Sequence, residues 1–246
     1  MKIVVCISVT PDTTSRISFK NQDSEFNTDG VQFILNPYDE WYALVRALEL
    51  KEKWGGTVTV IHAGPPQHEA MIRKALAIGA DDAIRINFQP GSSLETAVQI
   101  AHVIKGLSFD LVLLGKETID YQEGETGAML AEILGYPFVS FASKLDSDGS
   151  VTRIHRDIEG GVEILEVQLP AVVSAAKGMA EQRIPNMKGI MMAKSKPFQV
   201  LEPVAFDPLV KTLGYTLPPP KQGVKMVSPE DMDELVRLLH EEAKVF

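Results

Sequence analysis

The segment GKETIDYQEGETGAML at residues 115–130 holds residue types that suit the binding of a phosphate group. Gly115, Gly124 and Gly127 let the main chain approach a ligand closely, because glycine has no side chain. Thr126 and Gly127 stand at the expected start of a helix, where main-chain amides and the helix dipole attract anions. Glycine-rich turns with acidic residues are also ordinary surface loops, so this segment alone leaves both interpretations open.

Hydrolytic chemistry is not supported by this sequence. The loop lacks the Gly-x4-Gly-Lys-Ser/Thr pattern of a P-loop, which argues against Mg-dependent hydrolysis of a nucleoside triphosphate. Ser8, Ser140 and Ser174 are not set in a Gly-x-Ser-x-Gly elbow with a placed histidine. His62 ends a predicted strand, whereas His68 and the remaining histidines are expected on solvated surfaces. The sequence therefore predicts no catalytic residue and no metal site.

Apolar runs of strand length alternate with helical patterns through the first half of the chain. The predicted strands are residues 2–9, 57–62, 83–86 and 110–114, and the predicted helices are residues 36–51, 69–78, 94–104 and 128–134. This order implies an α/β fold with a doubly wound, mostly parallel sheet. Ligands of such sheets bind beyond the carboxyl ends of the strands. Residues 6–9, 36–39 and 62–65 should therefore meet the 115–127 loop at one rim.

The second half of the chain has a different pattern of apolar and polar residues. The stretch at residues 144–148, which runs into the letters DSDGS at 146–150, indicates a turn. Residues 151–157 and 162–168 predict an antiparallel hairpin around Gly160-Gly161 at the sheet edge. Residues 170–174 predict one further strand. The first domain, a nucleotide-binding α/β domain, is therefore expected to span residues 1–196.

A proline-rich arm and a terminal helix are expected to form a second part, residues 197–246. Ser228 as the N-cap and Pro229 at the first helical position predict where the helix starts. The amphipathic pattern of this helix is typical of a segment that lies on a partner subunit, or of one that covers its own domain.

Composition narrows the class of partner. The chain has 246 residues, a net charge of −9 and a pI of about 5.1, which gives no attractive field for nucleic acid. Cys6 is the single cysteine, so no internal disulfide can form and a reducing compartment is expected. The apolar run at residues 1–10 is too short to span a bilayer and lacks a signal-peptide cleavage site. We therefore expect a cytoplasmic protein without membrane insertion.

Several short sequence motifs between residues 2 and 197 resemble, in their order and spacing, those of the electron-transfer flavoprotein beta subunit. These motifs are Asp29-Gly30, Asn36-Pro37-Tyr38-Asp39-Glu40, KALAIGAD at 74–81, Gly115-Lys116, Ile119-Asp120, Thr126-Gly127, Gly160-Gly161, LPAVV at 169–173 and IMMAKSKP at 190–197. The resemblance implies an adenine-nucleotide alpha-hydrolase-like sheet in a non-enzymatic electron carrier. It also implies a heterodimer whose alpha subunit holds the redox-active FAD, while the beta subunit buries a structural AMP.

The resemblance also assigns an AMP pocket by position. Its residues are Cys6, Asn36, Asp39, Ala63, Gly115, Asp120, Glu123, Gly124, Glu125, Thr126 and Gly127. Thr126 and the loop amides would hold phosphate, and Asn36 and Asp39 would hold the base or ribose. Tyr38 and Thr13 would approach the flavin ring of the alpha subunit, although Tyr38 also fits ordinary loop packing.

A recognition loop at about residues 177–194 is a second implied feature, with Met187 as its apolar anchor. Asp157 takes the place of a carboxylate linked to partner orientation. The implied partners are dehydrogenases such as acyl-CoA dehydrogenase, and a quinone oxidoreductase as acceptor. The alternative is that Met187, Met191 and Met192 form the core face of a helix.

The sequence departs from the family pattern at Ser8, in its short recognition loop and at Tyr121-Gln122-Glu123, which interrupts a stretch that is often a run of aspartates. Two other functions stay open. One is a bifurcating beta subunit with its own FAD, although GETGAML is nearer the AMP-binding form. The other is a stand-alone nucleotide-binding sensor.

Overall fold

The computed structural model describes residues 1–148, 151–220 and 223–246, and a nine-stranded sheet forms its centre. In chain order the strands are β1 (Lys2–Cys6), β2 (Val9–Pro11), β3 (Phe19–Lys20), β4 (Glu25–Phe26), β5 (Phe33–Leu35), β6 (Thr57–Ala63), β7 (Asp82–Ile86), β8 (Leu111–Gly115), β9 (Phe138–Ser147), β10 (Val151–Ile158), β11 (Gly161–Gln168), β12 (Ala171–Ala175) and β13 (Phe198–Leu201). The helices are α1 (Asp39–Trp54), α2 (Glu69–Ile78), α3 (Ser93–Lys105), α4 (Thr126–Leu134), α5 (Met187–Ala193) and α6 (Met232–Arg237).

The large sheet has the order β11-β10-β9-β12-β8-β1-β6-β7-β13. Its neighbouring strands are parallel except at β9–β10 and β10–β11, where the hairpin forms one edge. β2 pairs with β5 and β3 pairs with β4 in two small antiparallel sheets. The predicted α/β fold with a doubly wound, mostly parallel sheet and an antiparallel edge hairpin is confirmed.

Helices cover both faces of the sheet. One apolar core contains Ile3 and Val5 of β1 together with Leu44 of α1 and Leu76 of α2. The other core contains the alternate β1 residues Val4 and Cys6 with buried residues of α3 and α4. Because successive side chains of a strand point to opposite faces, a strand covered on both sides is apolar without interruption. This is why the sequence of β1 is apolar without a break after Lys2.

Two boundaries predicted for strands of the large sheet are wrong. The predicted strand 2–9 is interrupted, because Ile7 still donates to Ile61 O but the next amide, that of Ser8, donates to the Glu40 carboxylate and leaves the ladder. The predicted turn at 144–148 is largely strand, since β9 continues to Ser147. Its buried Leu145 pairs with Ile154 of β10, and burial of this side chain favours the longer strand. Residues 149 and 150 lie outside the described residues.

The arm begins inside the sheet. β13 pairs with β7, so the predicted boundary at residue 197 immediately precedes a strand of the large sheet. The Gln99 side chain then holds Val204 by two hydrogen bonds of 2.8 Å, one to its carbonyl and one from its amide. These contacts attach the first residues of the arm to α3 and β7.

The terminal helix starts later than the sequence predicts. α6 begins at Met232 with Asp231 as its N-cap, whose carboxylate accepts from Glu234 N at 3.1 Å. The predicted N-cap, Ser228, instead accepts from Glu230 N in a separate turn. The prediction is wrong because the turn at residues 228–231 is not continuous with α6. A π-helical segment, Leu238–Ala243, follows α6.

A search of residues 1–148, 151–220 and 223–246 finds no helix with both the length and the apolar character that crossing a bilayer requires.

Candidate functional site

The direction of chain winding reverses at β1. The chain runs from β1 through β6 to β7 on one side, and later places β8 and β12 on the other side. Open α/β sheets bind ligands in the crevice beyond the carboxyl strand ends at such a reversal. Cys6, Ala63 and Gly115 are the last residues of β1, β6 and β8. The structure therefore brings these predicted site residues to the same rim.

Asn36 joins two segments of the rim. Its side chain is fully buried, donates from Nδ2 to Glu117 O at 3.2 Å and accepts at Oδ1 from Ile119 N at 3.1 Å. Its own amide donates to Ser8 O at 2.9 Å. Asn36 therefore fixes the loop after β8 to the segment that leads into α1.

The loop after β8 ends at the N-terminus of α4. Thr126 is the first residue of that helix, and Gly127 is buried where an added Cβ would lie 2.9 Å from the Phe138 ring. Gly124 has a φ of 67°, a conformation that side chains of L-residues rarely adopt. The Glu123 carboxylate accepts a hydrogen bond from the Ser93 hydroxyl. The loop thus turns sharply and presents the first amides of α4 at the rim.

Acidic side chains lie under this loop. Burial is the main cause that raises the pKa of Glu40 to about 8, although Ser8 donates to Glu40 from both its main-chain amide and its hydroxyl. Burial also raises the pKa of Asp39 to about 6, and the nearby Lys116 charge opposes that change. The Cys6 thiol is buried beside Glu40, and its pKa is raised, first by burial and then by that carboxylate. A thiol held in this state is inert at neutral pH.

The buried Glu40 carboxyl makes the unfolding free energy depend on pH. Its folded-state pKa of about 8 lies above the ordinary 4.5, so the folded chain keeps a proton that the unfolded chain releases between these values. Stability is therefore lost as the pH rises through that window. We expect the unfolding free energy of the wild-type protein to fall, relative to Glu40→Gln, by about 3 kcal/mol between about pH 5 and about pH 8.

Urea unfolding of both proteins across this pH range measures the difference. Glutamine can accept from Ser8 N and donate to the Ser8 hydroxyl, so the variant keeps the local contacts. Asp39 titrates in both proteins, and its charge also raises the pKa of Glu40, so the difference between the two proteins includes this interaction. If the free energy of unfolding changes with pH in the same way in both proteins, Glu40 ionises at the same pH in the folded and unfolded chains.

A histidine pair lies at the end of β6. His62 Nδ1 is 2.9 Å from Ile7 O, and His62 Nε2 is 2.8 Å from His68 Nδ1. Burial is the first cause that lowers the pKa of each ring to about 4. The expectation that His68 is a solvated surface side chain is wrong, because a short 3-10 turn at Pro66–His68 folds it back onto His62. Within the described part of the chain, no cluster of His, Cys, Asp or Glu is arranged to hold a metal.

A cleft of about 300 Å³ opens beside the rim. Its lining residues are Pro37, Tyr38, Asp39, Tyr42, Lys116, Glu117, Thr118, Ile119, Gln122 and Lys177. Tyr38, the residue before α1, is 59% exposed, and its φ of 67° is uncommon for a residue other than glycine. Lys116 forms an ion pair with Glu117 at 2.9 Å and lies 5.7 Å from the Phe141 ring centroid. From the sequence alone, Lys116 belongs only to a family motif and Lys177 only to the start of the recognition loop, and neither lysine is assigned to a ligand.

The remaining predicted residues lie around this rim or outside it. Asp120 accepts from Tyr121 N at 2.9 Å, and Glu125 occupies the N-cap position of α4. Thr13 is exposed in the turn that follows β2. Asp157, on β10, accepts from the Ser143 hydroxyl at 3.3 Å. No contact joins Thr13 or Asp157 to the loop after β8 among the hydrogen bonds of the described residues.

The methionines of α5 face solvent. Met187 is 75% exposed and Met191 is 71% exposed, whereas Ala193 is buried. A Cβ at Gly189 would lie 2.2 Å from Ala77 O, so α5 packs on α2 through its glycine rather than through methionine. The interpretation of these methionines as a core face is therefore wrong. Ile184 is 88% exposed beside them and was missed, because one isoleucine in an irregular segment gives no periodic signal.

Comparison with known proteins gives concordant matches. Residues 24–205 match a family model described as an electron transfer flavoprotein domain. The chain is 38% identical to the electron transfer flavoprotein subunit beta of Bacillus subtilis (strain 168), with 100% of each chain aligned. It is 34% identical to the human protein of the same name, with 100% of this chain and 99% of the human chain aligned. The Syntrophomonas wolfei protein of that name is 36% identical over 92% of this chain and 90% of its own.

Proposed function

The chain belongs to the electron-transfer flavoprotein family, among its beta subunits, and from this premise we propose that it forms a heterodimeric electron carrier with an alpha subunit. In this proposal the beta subunit holds AMP as a structural group and braces an FAD held mainly by the alpha subunit. The complex takes electrons from dehydrogenases such as acyl-CoA dehydrogenase and passes them to a quinone oxidoreductase. It works in the cytoplasm and is not itself an enzyme.

The observation that supports the AMP proposal is that Asn36 hydrogen-bonds to Glu117 and Ile119 in the loop after β8, and that this loop leads into the start of α4. The loop follows β8, next to the strand β1 at which the direction of chain winding reverses. The residues fit a mononucleotide. Amides at Thr126 and Gly127 suit the phosphate, because the α4 N-terminus carries positive partial charge. Asp39, with a pKa of about 6, is a suitable partner for a ribose hydroxyl. Cys6 and Ala63 offer small side chains where the nucleotide would pass.

Additional features support the FAD proposal. Tyr38 projects an aromatic ring beside a cleft that also holds Lys116 and Lys177. An exposed ring packs well against another flat aromatic system. When bound, the flavin supplies the redox chemistry, and the protein supplies shape and polarity around it. Thr13, on the exposed turn after β2, is assigned to the same contact by the family resemblance.

The experiment that tests the proposal is purification of the chain co-expressed with its cognate alpha subunit. We expect a yellow heterodimer that releases one FAD and one AMP per complex on denaturation. A complex with two FAD and no AMP would contradict the structural AMP and favour the bifurcating form. A colourless, stable monomer would contradict the carrier and favour the nucleotide sensor.

We propose that α5 and the preceding segment dock partner dehydrogenases, with Met187 as the anchor. Met187→Ala is expected to raise the KM of a partner dehydrogenase for the complex about tenfold, because removal of a buried interface side chain costs binding free energy. The flavin content should stay unchanged. Leu107→Ala is a matched control, since Leu107 is exposed after α3 and outside this surface. If Met187→Ala leaves electron transfer from every partner dehydrogenase unaltered, Met187 is not the anchor.

Ile184 provides a second substitution on the same surface. Ile184→Ala is expected to raise the same KM if the apolar contact is shared between Ile184 and Met187. Asp157→Ala tests orientation separately, because the resemblance links this carboxylate to partner orientation rather than to affinity. Its expected effect is on the maximal rate at saturating dehydrogenase.

A further inference from the structure

The segment that leads into α5 has little support from its own main chain. Residues 180–186 lie between the buried Met179 and the start of α5, and they belong to no helix or strand. Among the described residues, no main-chain hydrogen bond joins residues 180–185 to another main-chain group. The position of the exposed Ile184 therefore depends on the side chains that hold this segment.

Arg183 is the residue through which α1 holds this segment. Its Nη1 and Nη2 donate to Oε1 and Oε2 of Glu52, at 2.6 Å and 2.8 Å. A bidentate pair of this kind fixes the orientation of the guanidinium as well as its position. The Arg183 carbonyl also accepts from Trp41 Nε1 at 3.2 Å. Trp41 lies near the start of α1 and Glu52 near its end, so α1 binds both the main chain and the side chain of Arg183.

α5 itself is held by a different helix. Its N-cap residue, Asn186, accepts from Gly189 N at 2.8 Å, which closes the first turn. Arg73 of α2 donates from Nη1 to Ala193 O at 3.0 Å at the other end of α5. The exposed Ile184 and Met187 thus lie between an attachment to α1 at residue 183 and the packing of α5 on α2.

From these contacts we infer that Arg183 is a positioning residue, whose attachment to Trp41 and Glu52 holds the segment before α5 in the conformation that a partner dehydrogenase binds. A segment that is ordered before association loses less conformational entropy when the partner binds. Arg183 therefore acts on the affinity for the dehydrogenase and has no part in the redox step. The inference rests on the proposed function, because the docking of dehydrogenases at α5 and the preceding segment is itself a proposal.

The test compares amide hydrogen exchange and dehydrogenase kinetics in the co-expressed complex. Arg183→Met removes the guanidinium and keeps an unbranched side chain, and Glu52→Ala removes its carboxylate partner. Each is expected to speed exchange in residues 182–188 and to raise the KM of the dehydrogenase for the complex about threefold, with kcat unchanged. The double variant is expected to match the single variants, because both substitutions remove the same ion pair.

Lys20→Met is the matched control. Lys20 forms an ion pair of similar exposure with Glu25 on the β3–β4 hairpin, so its loss should change neither the exchange in residues 182–188 nor the KM. If Glu52→Ala leaves both quantities as in the wild type, or if the effects of the two substitutions on the KM add, Arg183 does not act through Glu52 and the inference is overturned.

Met187→Ala separates this inference from the proposed function. If Met187→Ala raises the KM but Arg183→Met speeds the exchange without raising it, the dehydrogenase does not require the ordered segment and the inference is overturned. If both Arg183→Met and Glu52→Ala speed the exchange but neither they nor Met187→Ala change the KM, the proposed docking function is what fails.

Discussion

Gly115→Ala is expected to lower the free energy of unfolding by about 3 kcal/mol and to empty the proposed AMP site. Gly115 ends β8 at the point where α1 begins to pass over the sheet. A Cβ there would lie 2.6 Å from Glu40 Cγ, 2.8 Å from Glu40 N and 3.1 Å from Asp39 Cβ. The Glu40 side chain can shift, but the main-chain nitrogen belongs to the first turn of a buried helix. The strand end and the helix start must therefore separate.

Urea unfolding and the AMP content of the purified complex measure the two effects. Gly161→Ala is the matched control, because a Cβ at Gly161 has no atom within 4 Å and this glycine lies on the distant hairpin. Loss of AMP with unchanged stability would locate the damage in the nucleotide contacts alone. If Gly115→Ala unfolds like Gly161→Ala, the close packing of β8 against α1 is not what fixes the rim.

The second large effect is expected at the terminal helix. Met232, Leu235 and Val236 of α6 remain 51%, 37% and 53% exposed, although they make up an apolar face. We propose that the alpha subunit covers this face. Val236→Asp is therefore expected to weaken the heterodimer about a hundredfold, because a carboxylate would be desolvated without a partner.

Dissociation on dilution, followed by size-exclusion chromatography, measures this change. Val162→Asp is the matched control, since Val162 is 57% exposed on β11 and outside the arm. Equal dissociation of the wild-type protein and Val236→Asp would contradict the proposal and favour the interpretation in which the helix covers its own domain. Because both valines are exposed in the single chain, neither variant should lower the stability of the isolated fold.

Features set by local pattern were predictable from the sequence. α2 lies at Glu69–Ile78, as predicted, because its apolar spacing and Gly79 define both ends. β1 and β8 were recognised as buried strands because neither face of the central sheet meets solvent. Their order along the chain then indicated the rim at which Cys6, Ala63 and Gly115 meet.

Features set by distant contacts were not predictable. From the sequence, Asn36 is assigned to a base or ribose. In the structure its side chain forms hydrogen bonds to Glu117 and Ile119, which follow it by 81 and 83 residues, and the sequence around Asn36 gives no sign of these bonds. The His62–His68 contact depends on a single 3-10 turn, and β13 forms only because β7 offers an open edge. The stacking of Phe19 on Tyr215 joins segments whose sequences are each irregular. Tertiary pairing decides these features.

The outer position of β11 has a consequence for the behaviour of the protein at high concentration. Val162 and Ile164 are 57% and 58% exposed on this edge strand. Glu166 lies on the same face of β11 as these two residues and Glu163 on the opposite face, and they pair with Arg153 and Arg156 of β10 respectively. Charges on an edge strand hinder its pairing with identical molecules. Neutralising both glutamates is therefore expected to make this edge strand more prone to pair with identical molecules.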